Sequence, residues 1–557
     1  MKKYLSISKS VLFAAALTVM CSCQDTFNDH YSFHETESKY PVVKIAETLE
    51  GINGYGKFYE ALRTTKMCDK RGVPQKTTFL DLLLEDQFMT VFAPSDASIN
   101  DWALYTKRDK TDAEHYEVGE KFLKNHIARF KHSVGTTDTS KVVMLNGKIY
   151  KVGPVDIEGN GYHGDDKNIR CSNGVLHCID GNIEYLPNLY EFITTDPEYK
   201  AMFGNWFKSF TVEELDPYES VAMGLNENGE IVYIDSVTYE SNRLMTRYGR
   251  ILTEDSLYAL VLPTKAVWDT VYNRISKSFE YSERNLDNDS LQQYYTRTTM
   301  MTDLFFNMNP KVQHFLPKKV VSTLYSAAEN RREGRDYHIY AKDDLFGVAT
   351  RTIRCSNGTI YVIDSWPFAD TLTYLRPIRM EGESISNLSE FTCKPYSVDV
   401  IGNDTLNKSV EVMRISSKDV KNWKAQIYLF DNLKGKYDVK VVLAPNAEDK
   451  MPNYLHPIVS YTLSNGKTNV LLDSSKTVKQ EVAPGMFINQ KQLHYLVNNM
   501  TKLDTLDIGI VDVPFCNYDM PQAKLSITLQ SGVNERNSNK YSPEMWLDCI
   551  ILEPVVE

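Results

Sequence analysis

One segment of thirteen residues occurs twice in this chain, 184 positions apart. Residues 168–180 read NIRCSNGVLHCID, and residues 352–364 read TIRCSNGTIYVID. A weaker pair lies upstream in the same order, TVFAPSDA at residues 90–97 and ALVLPTKA at residues 259–266. Because two blocks seldom keep one order by chance, we predict a duplicated domain.

Each block has an interpretable local structure. Residues 90–93 form a short apolar run typical of a buried strand, and the proline that follows ends the strand ladder because it lacks an N–H. In the later block an Asn-Gly dipeptide, at 173–174 and again at 357–358, predicts a hairpin turn between alternating runs. We expect the apolar strand positions, Phe92 and Ile179 among them, in the core.

These blocks resemble the two signature boxes of the fasciclin domain, roughly T-V-F-A-P-T-n-x-A-F and N-G-x-I-H-x-I-D. The first copy matches both boxes, with Ser98 and Ile99 in place of the closing Ala-Phe. Residues 125–126, Asn-His, stand where the family often has a central Asn-His or Tyr-His. The second copy departs further, because Leu262 replaces the Ala of the first box and Met308 replaces the central His.

The resemblance implies two α/β domains, a first copy at residues 41–187 and a second copy at residues 188–368. Fasciclin domains are β-wedges covered by helices and are typically extracellular modules of adhesion and matrix proteins, so the resemblance implies no catalytic residue. The second copy carries a longer insertion, in which residues 225–250 are predicted to add a hairpin turning at residues 226–229.

The chain changes character after residue 368. Alternating strand-like runs between frequent turns predict a self-contained antiparallel β-sandwich over residues 369–557. Its opening residues 374–383 and closing residues 546–552 resemble the paired end strands of galactose-binding-type sandwiches, a fold that many carbohydrate-binding modules share. The predicted fold class is therefore multidomain, with two α/β fasciclin domains followed by an all-β sandwich.

Three acids near the ends of this sandwich predict a structural calcium site. In sandwich modules that this domain resembles, an E-x-E on the first strand and an Asp on the last can bind Ca²⁺, and Glu381, Glu383 and Asp548 occupy such places. Carboxylate oxygens are ligands that Ca²⁺ prefers. The alternative is that these residues are solvated acids on edge strands, and no other cofactor is expected.

Glycan binding would also need aromatic side chains that are open to a sugar ring. The sandwich offers four candidates, Trp423, Tyr454, Tyr461 and Tyr495. Core packing is the alternative role for each, because aromatic side chains bury a large apolar area. The sequence alone leaves the ligand-binding residues open.

The N-terminus has the layout of an export signal. Residues 1–22 combine a basic start with an apolar run at residues 11–19, which is too short for a stop-transfer helix. The following Cys21, Ser22 and Cys23 resemble a bacterial lipobox. Lipoprotein processing favours a small residue before the acylated cysteine, so Cys23 is the expected acceptor rather than Cys21. Plain secretion with cleavage nearby is the alternative.

Acyl chains on Cys23 would anchor the protein in a lipid bilayer. Residues 24–30, QDTFNDH, resemble the acidic start of surface-exported lipoproteins in Bacteroides-type bacteria. We therefore expect residues 23–40 to form a tether and the protein to be an outer-membrane lipoprotein exposed at the cell surface.

Other functions have little support in the sequence. The formal net charge of −11 provides no basic excess for a nucleic-acid partner. Seven cysteines follow Cys23 without a C-x-x-C pair, which argues against a zinc site or a disulfide framework. Cys171 and Cys178 are spaced either to pair across a hairpin or to remain unpaired.

No catalytic motif is assigned. The pattern G-x-G-x-x-G at residues 159–164 precedes a strand-like run rather than a helix, so we interpret it as a loop. Neither H-E-x-x-H nor G-x-S-x-G occurs. Paired catalytic carboxylates leave no local spacing signature, so a hydrolase is a distant third interpretation.

Two classes of function compete. The first is a non-catalytic surface lipoprotein that binds a glycan or another extracellular ligand, as an accessory to an outer-membrane nutrient importer. The alternative is a structural or adhesion protein whose fasciclin pair docks onto partner proteins.

Overall fold

The structure is a computed structural model of the 557-residue chain and describes residues 40–69, 71–99, 102–215, 221–225, 231–235, 238–282, 286–311, 317–322, 338–384, 392–401, 407–417, 421–473, 476–492, 495–520 and 523–556. The predicted signal, the Cys23 acceptor and the tether up to residue 39 lie outside these residues. The chain divides into two compact units, one ending at Pro187 and one beginning at Asn188. In the described part, no helix is long and apolar enough to cross a membrane.

The first unit places helices and two small sheets around a central sheet. Its helices are α1 (Ile45–Glu50), α2 (Gly56–Thr64), α3 (Phe79–Leu84) and α4 (Asp112–Val118), which continues as a π-helical turn over Gly119–Leu123. Its strands are β1 (Lys66–Cys68), β2 (Pro74–Thr78), β3 (Met89–Pro94), β4 (Ile127–Arg129), β5 (Ser140–Val143), β6 (Ile149–Val152), β7 (Asp156–Ile157), β8 (Asn160–Gly161), β9 (Ile169–Cys171) and β10 (Gly174–Ile179).

The two sequence boxes of the first copy pair directly in its central sheet. The strand order is β4-β3-β10-β9, and β3 runs parallel to β10 with Met89 opposite Gly174. One face of this sheet packs against the helices, and the other packs against the sheet β5-β6-β7-β8. Phe92 and Ile179 are both fully buried in the second of these cores, which confirms their predicted burial.

The second unit begins with another α/β region. Its helices are α5 (Leu189–Thr195), α6 (Pro197–Tyr199), a π-helical turn (Lys200–Gly204), α7 (Asn205–Lys208), α8 (Met245–Tyr248), α9 (Lys265–Ser278), α10 (Leu286–Met300), α11 (Lys342–Leu345) and α12 (Asp370–Thr373). Its strands are β11 (Thr211–Leu215), β12 (Val221–Leu225), β13 (Ile231–Asp235), β14 (Thr238–Asn242), β15 (Tyr258–Pro263), β16 (Phe305–Asn307), β17 (Lys319–Val321), β18 (Ile339–Ala341), β19 (Arg351–Cys355) and β20 (Gly358–Ile363).

The central sheet of the second copy repeats that of the first. Its order is β16-β15-β20-β19, with β15 parallel to β20 and Tyr258 opposite Gly358. The insertion forms two antiparallel pairs, β11 with β14 and β12 with β13. The β12–β13 pair is the predicted hairpin, although its turn at residues 226–229 lies outside the described residues.

The same asparagine-centred contacts fix both copies. Asn173 Oδ1 accepts a hydrogen bond from the Ile45 N–H at 2.9 Å, and its Nδ2 donates to two carbonyls at the end of α3. Asn357 Oδ1 accepts from the Leu189 N–H at 2.9 Å, and its Nδ2 donates to two carbonyls before β15. The repeated Ser-Asn-Gly therefore ties the first helix of each copy to its central sheet.

The second unit ends in a β-sandwich. Its strands are β21 (Ile378–Glu381), β22 (Thr392–Ile401), β23 (Asn407–Ser416), β24 (Lys424–Leu429), β25 (Gly435–Leu443), β26 (Tyr454–Thr462), β27 (Thr468–Asp473), β28 (Lys476–Ala483), β29 (Met486–Gln492), β30 (Leu496–Val497), β31 (Asp504–Val513), β32 (Lys524–Ser531) and β33 (Met545–Pro554). One sheet has the order β22-β23-β33-β25-β31, with β21 on β33, and the other has β24-β32-β26-β27, with β30 on β26. The pairing of β21 with β33 confirms that the two ends of the domain pair.

The second copy and the sandwich share a core. Leu433 and Cys516 of the sandwich belong to the hydrophobic cluster of the second copy. The Cys516 N–H donates to the Glu280 carbonyl at 2.8 Å, and the Lys434 N–H donates to the carbonyl of Ser278 at the end of α9. This differs from the expectation of a self-contained sandwich, because two of its loops bury apolar surface against the preceding domain.

Candidate functional site

The four candidate aromatic residues of the sandwich occupy two different environments. Trp423 is 3% exposed and Tyr461 is fully buried, so both belong to the core between the sheets and neither can offer a ring to a ligand. Tyr454 and Tyr495 are instead half-buried. They lie in direct contact with each other.

Tyr454 is the shared member of a stack of three rings. Its centroid lies 4.0 Å from that of Tyr495, with an interplanar angle of 16°, and 4.6 Å from that of Tyr541, with an angle of 17°. A Cβ atom at Gly532 would lie 2.4 Å from ring atoms of both Tyr454 and Tyr495. Glycine at this position therefore lets the backbone approach the rings closely and helps to fix them.

Polar groups surround this tyrosine stack. The Asn453 N–H donates to Asn498 Oδ1 at 2.6 Å. The Nδ2 of Asn498 is buried and has no hydrogen-bond partner among the described residues. His456 packs against Tyr495, with ring centroids 5.6 Å apart and an interplanar angle of 53°. The site thus combines flat apolar rings with a side-chain donor that has unused capacity, a pairing typical of small-ligand sites.

The acids predicted to bind calcium lie where β21 meets β33. Glu381, Asp548 and Cys549 each offer a ligand atom, and these atoms lie within 4.8 Å of one another. Arg379 contacts two of them, with its Nε 2.6 Å from Glu381 Oε1 and its Nη2 3.2 Å from Asp548 Oδ2. Burial raises the pKa values of the Asp548 carboxyl and the Cys549 thiol, so this thiol is a neutral neighbour.

Glu383 follows in the short 3-10 turn after β21. Its Oε2 is buried and has no hydrogen-bond partner among the described residues. Burial raises the pKa of Glu383, and the negative charges of Glu381, Glu411 and Asp548 raise it further. An unsatisfied carboxylate oxygen among acids fits a bound cation. Arg379 already supplies positive charge to two of these acids, however, and calcium would compete with it. The calcium assignment stays a prediction.

A buried acid–histidine pair in the second copy was not predicted. His338 Nδ1 lies 2.7 Å from Asp303 Oδ2, and the Tyr340 hydroxyl donates to the same carboxylate at 2.8 Å. Nη2 of Arg376 contacts the other ring nitrogen of His338. In a catalytic dyad that nitrogen faces a nucleophile. Here a guanidinium takes that position, so the network fits a structural role.

The structure decides between the two alternatives for the cysteines. Cys171 and Cys178 are both buried, and no disulfide joins them. The glycine-rich residues 159–164 lead to β9 rather than into a helix, as predicted, although they include the two-residue strand β8 and are not a loop throughout.

Comparison with known proteins identifies one domain of the chain. Residues 70–184 match the Fasciclin domain family, and they form a fasciclin domain. The chain as a whole is multidomain, mixed α/β with a large β-sandwich content. No curated protein matches the chain.

Several solved structures of low overall similarity align with about a third of the chain. The CBM22-1 xylan-binding domain from Paenibacillus barcinonensis aligns at 12% identity and a TM-score of 0.19, over 32% of this chain and 95% of that domain. A CBM22-1–GH10 endo-1,4-beta-D-xylanase from Clostridium thermocellum, complexed with xylohexaose, aligns at 13% identity and a TM-score of 0.19, over 32% of this chain and 28% of the xylanase.

The Podospora anserina GH26-CBM35 beta-(1,4)-mannanase aligns at 13% identity and a TM-score of 0.17, over 32% of this chain. The chain therefore spans about 28% of the length of each of these two enzymes. The strand order of the C-terminal domain by itself defines a β-sandwich.

Proposed function

We propose that this protein is a non-catalytic glycan-binding protein of the cell surface whose sandwich carries the binding site. The stack of Tyr454, Tyr495 and Tyr541 is the observation that carries the proposal. Rings held in place by their neighbours can stack on the apolar face of a pyranose while losing little conformational entropy. Half-buried tyrosines combine such a face with a hydroxyl that is able to hydrogen-bond.

The surroundings of the stack add hydrogen-bonding capacity that suits sugar hydroxyls. Asn498 Nδ2 offers a buried donor, and the segment between β32 and β33 is rich in amide and hydroxyl side chains at residues 534–539. Because ring stacking and a few hydrogen bonds exceed the free-energy cost of association only slightly, we expect weak affinity for short oligosaccharides.

A second candidate function is adhesion through the α/β pair. The repeated sheet order and the matching Asn173 and Asn357 contacts support it, because they fit a second, divergent fasciclin domain at residues 188–368. In this function the pair would dock onto partner proteins. The two candidates are distinguished by whether binding depends on the tyrosines of the sandwich.

The proposal also includes the cellular location of the protein. We propose acylation at Cys23, anchoring in the outer membrane with the folded units outside, and service to a nutrient importer that receives the captured glycan. Palmitate labelling tests the anchor: the label should vanish in a Cys23→Ala variant and persist in Cys21→Ala. The reverse pattern would move the acceptor to Cys21.

Calcium would have a supporting role here. Glu381, Glu383 and Asp548 would hold the ion, and its charge would join the first and last strands of the sandwich. Glycan recognition at the tyrosine stack does not require it.

A glycan array probed with the chain from Gln24 to Glu557 tests the proposed function. We expect binding to a limited set of polysaccharides and an about fivefold weaker signal for Tyr541→Ala, since stacking on an aromatic ring contributes about 1 kcal/mol. Tyr428→Ala is the matched control, because Tyr428 is a half-buried tyrosine on β24 that contacts Lys524 instead.

Loss of signal in the Tyr541 variant alone would support the sandwich site. Equal signals in all three proteins would remove it, and an array without any hit would leave adhesion as the better account.

A further inference from the structure

Two phenylalanines are exposed side by side at one end of the central sheet of the first unit. Phe88 is 49% exposed and precedes β3, and Phe130 is 68% exposed and follows β4. The Phe130 N–H donates to the Phe88 carbonyl at 2.9 Å, so the two residues are neighbours across the sheet. An exposed aromatic pair of this kind marks an interaction surface more often than a single exposed apolar residue does.

The backbone at Phe130 is held in an unfavourable conformation. Its φ is 67°, in the left-handed region that bulky side chains rarely adopt. Thr90 fixes this conformation, because its hydroxyl donates to the Phe130 carbonyl at 2.8 Å and accepts from the His132 N–H at 2.8 Å. The strain presents a ring to solvent rather than to the core, and retained strain without a packing benefit points to a functional constraint.

Positive charge surrounds the pair. Lys131 Nζ lies 3.8 Å from the centroid of the Phe88 ring. Arg170 on β9 is exposed and close enough to lower the pKa of Lys131, together with the larger effect of burial. Two exposed acids precede Phe88: Asp86, which is paired with Lys44 at 2.6 Å, and Glu85. Lys131 and Arg170 therefore place positive charge close to the two rings on a chain whose net charge is −11.

Residues 43 and 44, just before α1, are held near this end of the sheet. The Val43 carbonyl accepts the Ser172 N–H at 2.8 Å beside the β9–β10 turn, and Lys44 Nζ donates to the Leu84 carbonyl at 2.7 Å. Met89, the residue after Phe88, lies opposite Gly174 at the start of β10.

We propose that Phe88, Phe130 and Lys131 form a membrane-contact patch that docks the first unit onto an anionic lipid surface. The rings would insert at the level of the headgroups while Lys131 and Arg170 face their phosphates. The patch acts in addition to the acyl chains and independently of glycan capture, and it would hold the first unit against the membrane.

Vesicle binding of the non-acylated chain from Gln24 to Glu557, which keeps every described residue, tests the patch. We expect co-sedimentation with phosphatidylglycerol vesicles and little with phosphatidylcholine vesicles. Raising the salt concentration from 50 to 500 mM should weaken binding, because salt screens the attraction between a few protein charges and the anionic lipid. The double variant Phe88→Ser/Phe130→Asn should bind about tenfold more weakly. Val155→Ser is the control, because Val155 is 69% exposed and lies outside the patch. This substitution should leave vesicle binding unchanged.

A second measurement separates docking from folding. Asparagine tolerates the left-handed region better than phenylalanine does, so Phe130→Asn should leave the melting temperature unchanged or raise it while vesicle binding falls. No binding to anionic vesicles, or equal binding by the control and the double variant, would overturn the proposal. Equal binding to both vesicle types would remove its electrostatic part. None of these outcomes bears on the glycan array.

Discussion

His126 and His177 illustrate how a single buried residue sets the chemistry around it. Both are fully buried in the first unit, and burial lowers the pKa of each to about 4. His126 Nδ1 therefore donates to the Phe122 carbonyl at 2.8 Å, and its Nε2 accepts the Ile183 N–H at 3.1 Å. In the Asn-His pair at the family's central position, His126 thus connects the Phe122 carbonyl to the Ile183 N–H inside the core.

We predict acid sensitivity of the first unit from these two residues. Their folded pKa of about 4 lies below the unfolded value of about 6.5, so the unfolded chain binds more protons between these limits. The stabilisation from each neutral buried histidine is fully present above pH 6.5. The free energy of unfolding should fall by about 3 kcal/mol per histidine as the pH approaches 4.

Urea unfolding from pH 7.5 to 4.5 measures this dependence. His126→Gln should be less stable at neutral pH but should show a shallower fall with acid. A variant with the same slope as the natural chain would contradict the assignment.

At the scale of elements, each copy depends on a glycine where its two boxes meet. A Cβ at Gly174 would lie 1.9 Å from the Met89 carbonyl oxygen, and a Cβ at Gly358 would lie 2.1 Å from that of Tyr258. We predict that Gly174→Ala costs about 3 kcal/mol, because β3 and β10 must separate. In Gly161→Ala a Cβ would meet nothing within 4 Å, so this control should be nearly neutral. Chemical denaturation of both variants decides, and a neutral Gly174→Ala would show that the parallel pairing is looser than described.

The end strands of the sandwich give a prediction about calcium. Arg379 competes with any bound cation for Glu381 and Asp548. Calcium should therefore raise the melting temperature of the natural chain only slightly and that of Arg379→Gln more, by mass action on the folded state. Calorimetry with calcium and with chelator measures both, and Lys424→Gln, on a different strand, is the control. No calcium effect in either protein would remove the site.

These elements also show what the sequence could predict. The repeat predicted a duplicated domain, and both copies have the same central sheet order. The parallel pairing of the two boxes was not predicted, because it joins strands that are far apart in the sequence. The repeat did not show that Tyr454 and Tyr461 on β26 have different environments. Their spacing could have shown it, because two residues seven positions apart on a strand lie on opposite faces. Arg379 lies two residues before Glu381 on β21, and this even spacing places both side chains on the same face of the strand. Tyr541 had no such signal, because it reaches the stack from an irregular segment.

At the scale of the whole molecule, the second copy and the sandwich are expected to unfold together. Leu433 and Cys516 lie in the core of the second copy, and Lys434 pairs with Glu280 at 2.6 Å. We predict two calorimetric transitions, one for each compact unit, rather than three. Leu433→Ser should lower only the transition of the second unit. A separate third transition would show that the sandwich is thermodynamically independent.

The central claim is that glycan binds at the tyrosine stack. Hydrogen–deuterium exchange of the chain from Gln24 to Glu557, with and without saturating amounts of the strongest array ligand, tests it most directly. We predict protection confined to the backbone around Tyr454, around Tyr495 and in the segment at residues 532–544. Protection at the α/β domains with none in these segments would contradict the account.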